Sequence, residues 1–312
     1  MSDIKRIISS YYKNGQILFS IFMYTFLSVV AFVFMYPFLY MIITSLKSLE
    51  ELFDLSVNWI PRSVYFKNYV YAFNLLEYPR HFIISTLVTL VSIGIKVTCS
   101  SFIGYGFARF RFPGKTVLFF FVVLSIIVPV QTILLPQYLI FASISWTGSY
   151  LPIIIPQMLG YGLRGGLFIF LFRQFFLNLP KSLEEAAKID GSSAFGIFWK
   201  ISLPSIKSSL IVTSVLAMVW HWNEYYEPAI YINKIQMMPL PAMLPRVFTM
   251  YQNFFSGELN AAGTNPALLV ETIVTEGTLM ASIFLVIIPV LLVYMIVQKK
   301  FMQGIERSGL VE

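Results

Sequence analysis

Between two strongly apolar runs the chain reads Ser182-Leu183-Glu184-Glu185-Ala186-Ala187-Lys188-Ile189-Asp190-Gly191 and, after nine more residues, Ile201-Ser202-Leu203-Pro204. Ser182 and Glu185 have the spacing of a capping box, in which two side chains satisfy free backbone N–H groups at a helix start. Ala186 and Ala187 are strong helix formers with almost no side chain. Gly191 suits the left-handed position that ends a helix. The stretch predicts a stubby helix from about Leu183 to Asp190, about 12 Å long. A second short helix is expected over Ser193–Ile201. Leu203-Pro204 then opens the next apolar run, since a proline near a helix start gives up an N–H that had no partner there. The small side chains let the first helix approach another protein surface closely. Taken alone, the stretch reads better as an interfacial helix on a membrane, anchored by Leu183, Phe195, Phe198 and Trp199.

The rest of the chain decides the solvent. Of its 312 residues 57% are hydrophobic and 12% charged, about half the charge of a soluble domain. Such a chain cannot cover a water-facing surface, which makes it an integral membrane protein. Its 30 Phe and 18 Tyr suit lipid contact and interfacial belts. The net charge of +7 is spread over loops, which speaks against a nucleic-acid partner. Cys99, the single cysteine, excludes an internal disulfide and is expected to be a buried small residue. Lys5, Arg6 and Lys13 precede an apolar run too long for a signal peptide.

Six runs reach the ~20 apolar residues that a membrane crossing needs. They are residues 17–43, 82–108, 116–138, 149–176, 203–232 and 278–297. The expected fold is therefore an all-α membrane protein with six transmembrane helices in one domain over residues 1–312. A loop over 180–202 lies on one side, and two long loops over 45–81 and 233–277 lie on the other. With both termini inside, 14 of the 22 Lys and Arg residues fall in cytoplasmic segments and six outside, while Lys96 and Arg164 fall within spans. That bias predicts cytoplasmic N- and C-termini. The outer loops hold Asn58-Trp59-Ile60-Pro61, a turn-like break, and four prolines within 233–277. No internal repeat is visible.

Polar groups at membrane depth are costly and tend to face a bundle interior or a wet cavity. Lys96 and Arg164 fit that description, either lining a translocation path or making an inter-helix ion pair. Arg164 sits in Gly160-Tyr161-Gly162-Leu163-Arg164-Gly165-Gly166, where four glycines predict a distorted helix. Irregular backbone at depth must be buried in protein or line a cavity. Trp222, Asn223, Glu224 and Tyr225 end the fifth run. They read as a sugar site, with aromatic faces for stacking and amide or carboxylate groups for hydroxyls, or as an interfacial aromatic belt.

Catalytic signatures are missing from the sequence. Gly114-Lys115-Thr116 would need a glycine at position 109 to complete a nucleotide-binding P-loop, and Arg109 stands there. Arg109 and Arg111 read instead as anchors at the membrane edge. His81 and His221 fall on separate spans and predict no metal site.

The spaced Glu-Ala-Ala, Gly and Ile-Ser-Leu-Pro pattern resembles the loop of permease subunits in binding-protein-dependent ATP-binding-cassette (ABC) importers. The likeness runs along most of the chain. Gly104-Tyr105-Gly106-Phe107-Ala108-Arg109-Phe110-Arg111-Phe112-Pro113-Gly114-Lys115, Pro129-Val130-Gln131, Phe172-Arg173-Gln174-Phe175-Phe176 and Trp222-Asn223-Glu224-Tyr225 are similar to carbohydrate-importer permeases, of the kind of the smaller maltose permease. The resemblance implies a type I importer permease in a bacterial cell membrane. Glu184, Glu185, Ala186, Ala187, Asp190 and Gly191 would then receive the motion of an ATPase. It implies a second related permease, two ATPase subunits that bind ATP and Mg, an extracellular solute-binding protein and an oligosaccharide cargo. This chain would bind no cofactor and catalyse nothing. Arg164, Lys96, Trp222, Asn223, Glu224 and Tyr225 would border the cargo path. The loop over 233–277 and the tail Phe301–Glu312 depart from the disaccharide permeases, and longer loops of this kind resemble those of oligosaccharide permeases. The rival readings are a six-span secondary transporter or channel, which would usually show a repeat, and the same fold with a non-sugar cargo.

Overall fold

The computed structural model describes residues 2–54, 56, 59–255 and 274–307, and no β-strand occurs among them. Residues 256–273 of the second outer loop, Asn58 of the turn-like break and the end of the tail, residues 308–312, lie outside the described residues. The chain forms two compact units, Met1–Ala72 with Met250–Phe284, and Phe73–Thr249 with Leu285–Glu312.

In the first unit, α1 (Ser2–Ser45) carries the first apolar run. Its segment Ile17–Ser45 is long and apolar enough to cross a membrane, and its side chains are largely exposed. An exposed apolar helix of this length belongs against lipid or another membrane protein. The chain then turns into α2 (Leu49–Phe53) and α3 (Lys67–Leu75). Ser48 and Glu51 form a reciprocal capping box at α2, with Glu51 N–H on Ser48 Oγ at 3.3 Å and Ser48 N–H on Glu51 Oε2 at 3.4 Å. The other Glu51 oxygen accepts the N–H groups of Arg62 at 2.9 Å and Ser63 at 3.2 Å. Buried Asn68 donates to the carbonyls of Ser45 and Lys47 at 3.0 and 2.8 Å, which fixes the turn after α1.

The second unit holds the longest buried helix, α4 (Tyr78–Arg109). Its inward stripe is Ser85, Thr89, Ser92, Lys96 and Ser100, spaced three or four apart, and its outward residues include Ile83, Leu87 and Leu90. This inversion suits a membrane helix: apolar groups meet lipid, while small polar residues let helices approach closely. After α4 come α5 (Lys115–Ile127) and α6 (Val130–Ser143), bent by 106° at their junction. Pro129 disfavours helical backbone at the preceding residue, and Val128 is extended accordingly. Next follow α7 (Leu151–Met158), α8 (Gly165–Leu177), α9 (Lys181–Ile189) and α10 (Ala194–Ile197). A π-helical turn at Phe198–Ser202 leads through α11 (Leu203–Ser205) into α12 (Lys207–Asn223), with an 81° bend before α12. Pro204 has no N–H to offer one turn back, and the ladder slips so that Leu203 N–H bonds Phe198 O. The chain continues through α13 (Tyr226–Tyr231) and α14 (Leu244–Phe255) and ends in α15 (Glu276–Arg307).

Three helices of the described residues are long and apolar enough to cross a membrane, or up to five if each bent pair is one crossing. Three of the six expected runs are broken, and of these breaks only the one in the glycine cluster 160–166 was expected. Residues 116–138 bend at Pro129. Residues 149–176 divide into α7 and a 13-residue α8 around an unwound stretch. Residues 203–232 break at Ile206 and again before α13. Each run is apolar throughout, so hydropathy joins what proline and glycine divide. Cys99 is half-buried rather than enclosed.

The core of this unit is aromatic. Phe168, Phe172 and Phe176 of α8, with Tyr105, Phe198 and Ala217, are buried together. Gly104 sets how closely α4 meets α8, since a Cβ there would lie 2.7 Å from Phe172 Cβ and 2.9 Å from the Arg173 backbone N. Gly104→Ala should lower stability by about 1–3 kcal/mol, the usual cost of overpacking. Gly94, on the same helix with nothing within 4 Å of its built Cβ, is the control. Gly94→Ala should be neutral or stabilising. Thermal unfolding of the purified chain in detergent checks the pair, and equal behaviour would remove the close-approach argument.

Candidate functional site

Two features of the second unit concentrate polar chemistry. The first is the short polar loop after α8. Leu179-Pro180 leads into α9, which begins at Lys181 with Pro180 in the capping position and no side-chain cap. The expected capping box of Ser182 with Glu185 is therefore corrected: helical geometry starts two residues earlier, at Lys181, and takes Ser182 inside. Glu184, not Glu185, makes the specific contacts. Arg109, the last residue of α4, donates its Nε–H to Glu184 Oε1 at 2.8 Å and an Nη2–H to the Leu179 carbonyl at 2.9 Å. Ser202 Oγ–H donates to the same Glu184 oxygen at 3.0 Å. The Arg109 and Glu184 side chains are only 7% and 9% exposed. Breaking a buried pair from one side strands the other charge, at a cost of about 3–5 kcal/mol. Three segments, the end of α4, α9 and the π-turn before α12, thus meet at one carboxylate.

The end of α9 is as expected. Gly191 has φ +80°. Its N–H bonds Lys188 O at 3.0 Å, and Ser192 N–H bonds Ala187 O at 2.9 Å. These are the paired bonds of a Schellman ending. The second short helix also forms, with Ser193 capping α10 through Gly196 N–H at 3.2 Å. The expected docking residues divide by face: Glu184 and Ala187 are buried, whereas Glu185, Ala186, Asp190 and Gly191 are exposed. Leu183 and Ile189 join the outward face, and Ile189 is 87% exposed. Arg109, Ser202 and Ile189 were missed in the sequence reading. The spacing of Arg109 from the loop gave no sign that the two meet.

The second feature is a cavity of about 690 Å³ beside the unwound stretch between α7 and α8. Arg164, Glu224, Glu227, Gln131, Gln137 and Tyr161 are among its lining residues. The stretch is irregular as its glycines predict, with φ of +76° at Gly160, +83° at Gly162 and +52° at Arg164. A Cβ at Gly165 would lie 2.3 Å from the Gly160 carbonyl oxygen, so the turn closes too tightly for any side chain there. Lys96 is fully buried and donates to the Tyr161 carbonyl at 3.1 Å, satisfying one acceptor that unwinding frees. The Arg164 guanidinium stacks 4.8 Å from the centre of the Trp220 ring. Gln137 donates to Tyr161 Oη at 2.6 Å and accepts from Tyr231 Oη at 3.2 Å.

Of the six expected path residues, the structure brings Arg164 and Glu224 to this cavity. Lys96 stands behind its wall. Trp222 is buried and donates its indole N–H to the Val286 carbonyl at 3.0 Å. Asn223 is exposed and bonds back to Val219 O at 2.8 Å. Tyr225 is exposed and stacks on Tyr226 at 4.2 Å. Glu224 also caps α13, accepting the N–H groups of Tyr226 and Glu227 at 2.8 and 3.2 Å. Gln131 and Gln137 at the cavity were missed, because each lies singly in an apolar run.

The chain is 30% identical to the polygalacturonan/rhamnogalacturonan transport system permease protein YtcP of Bacillus subtilis, over 92% of this chain and 96% of that one. It is 30% identical to the probable starch degradation products transport system permease protein AmyC of Thermoanaerobacterium thermosulfurigenes, over 80% of this chain and 88% of that one. Its fold is similar to a chain in the crystal structure of a bacterial ABC transporter involved in the import of the acidic polysaccharide alginate. That match has a TM-score of 0.72 and 22% identity, and covers 91% of this chain and 96% of the other. Residues 96–307 match the family model described as binding-protein-dependent transport system inner membrane component, and the chain belongs to that family.

Proposed function

We propose that this chain is one permease subunit of an ATP-driven importer that moves an oligosaccharide into the cell. It pairs with a second permease, stands on two ATPase subunits and receives cargo from an external binding protein. Its termini are cytoplasmic, and its six crossings include three that are bent or unwound. Access alternates as the ATPases close, and ATP with Mg is held by those partners. The relatives named above are a polygalacturonan/rhamnogalacturonan permease and a probable permease for starch degradation products, which supports a saccharide cargo.

The observation that carries this reading is the two-faced helix α9. Its inner face is bound through Glu184 to Arg109 and Ser202. Its outer face presents Leu183, Ala186 and Ile189 with Glu185 and Asp190. An exposed apolar stripe on a helix fixed from behind is built to take force from a partner and pass it on. Gly191 holds the end of that helix, and proline cannot adopt its positive φ. In the assembled complex Gly191→Pro should abolish uptake while leaving membrane insertion intact. Glu185→Lys, which reverses a charge on the outer face, should weaken co-purification of the ATPase at least tenfold. Normal uptake and normal co-purification in both would end the docking assignment.

The cavity supports the cargo side of the reading. A sugar needs polar partners fixed in direction and a few apolar faces. Arg164, Gln131, Gln137 and Glu224 are such partners beside Tyr161 and Tyr226. Arg164→Ala should cut substrate-stimulated ATP hydrolysis at least tenfold with basal hydrolysis kept. Asn223→Ala, away from this cavity, should change neither. Measurement on the complex in nanodiscs with its binding protein decides it. Unchanged stimulation in the Arg164 variant would move the cargo path to the partner permease.

A further inference from the structure

A second, smaller cleft lies where α4 ends and α5 begins, with α9 across it. Its volume is about 230 Å³, room for about seven or eight waters at the ~30 Å³ each occupies in the liquid. That is too small for an inserted helix, which is about 10–12 Å across. The Arg109–Glu184 pair forms part of its wall and cancels its own charge. Arg111, Lys115, Lys181 and Lys188 also line it, against one further carboxylate, Glu185. Lys115 spends one of its three donors on the Phe110 carbonyl at 2.9 Å. Among the described residues no ion pair involves Arg111, Lys181 or Lys188. Four cations against one carboxylate leave a local excess of +3 among the lining residues, which no ion pair among the described residues neutralises.

The place of the cleft is as telling as its charge. It opens at the end of the membrane-length helix α4 and the start of the 13-residue apolar helix α5. Phe110, another lining residue, and Phe112 in the same short turn are both exposed. Apolar rings beside cations are the arrangement of a membrane surface, where headgroup and acyl chain lie within one side-chain length of each other. Basic side chains from three separate elements can each take a different oxygen of a tetrahedral anion, which a single planar carboxylate does not offer.

We propose that this cleft binds a phosphate group, presented by the headgroup of an anionic phospholipid. The binding claim stands without the importer reading. Its consequence, that lipid composition tunes coupling through the neighbouring α9, rests on that reading. The test uses the purified full-length chain, reconstituted with phosphatidylcholine and phosphatidylglycerol and then released for native mass spectrometry. Wild type should retain phosphatidylglycerol over phosphatidylcholine. Arg111→Gln/Lys181→Gln/Lys188→Gln should lose that retention on the order of tenfold or more. Arg111→Lys/Lys181→Arg/Lys188→Arg, which keeps the charge, should retain it and so separates charge loss from misfolding. Millimolar inorganic phosphate should compete with the lipid. Equal retention of both lipids by wild type, or undiminished retention by the glutamine variant, would overturn the proposal. Binding of inorganic phosphate without preference for the anionic lipid would overturn the lipid source and assign the cleft to a soluble phosphorylated ligand. If the glutamine variant keeps its lipid but sheds the ATPase from the assembled complex, the cleft is a protein-docking surface and the proposal fails.

Discussion

One buried carboxylate organises the α9 end of this permease. Glu184 accepts from Arg109 and from Ser202 on a single oxygen, with Arg109 reaching on to the Leu179 carbonyl. In low dielectric such a pair is costly to separate and geometrically demanding. Its stabilising value against an apolar replacement is modest. Its structural consequence is large, because the three groups come from α4, α9 and the π-turn leading into α12. One set of short polar contacts thus ties α9 to the end of α4 and to the turn that leads into α12. The aromatic core beneath gives that set a firm base: Tyr105 packs edge-on to Phe176 at 5.1 Å and tilted against Phe198 at 5.1 Å.

The pentapeptide Lys-Ser-Leu-Glu-Glu occurs twice, at 47–51 and at 181–185. Local sequence gives both copies the same capping box, and only the first forms it. At 181 the preceding Pro180 already has backbone angles suited to a helix start, so helical geometry begins at the lysine. The serine is then inside, two residues past the capping position. The glutamate that would cap in the first copy faces outward in the second, and its neighbour turns in to Arg109. What differs is a proline and a distant cation, and only the proline is visible in a local window.

Much of the fold was legible for the same reason that its details were not. Apolar runs mark where the chain belongs in lipid, and Gly191 and the Gly160–Gly166 cluster mark where backbone must turn, whereas the bend at Pro129 was not read. Runs alone do not reveal breaks within them, so α7 and α8 read as one crossing. The site was legible by composition and not by direction. Trp222 and Asn223 end α12, whereas Glu224 is extended and Tyr225 precedes α13, so the four neighbours in sequence point in different directions. One of the four, Glu224, reaches the large cavity. Lys96 and Arg164 both sit at depth, and the structure gives them different work. Lys96 satisfies a carbonyl released by the unwound stretch, while Arg164 stands on Trp220 at the cavity edge.

The central claim is that α9 and α4 move as one body because Arg109 and Glu184 bind them. Pulsed electron paramagnetic resonance tests it in the assembled complex, with spin labels at Ile189 on the outer face of α9 and Leu90 on the lipid face of α4. Both sites are exposed. The account predicts one narrow distance distribution that stays within about 2 Å between nucleotide-free and ATP-trapped states, the scale of small helix shifts. A change of about 5 Å or more, one helical turn, would contradict it, since the loop would then slide on the long helix rather than carry it.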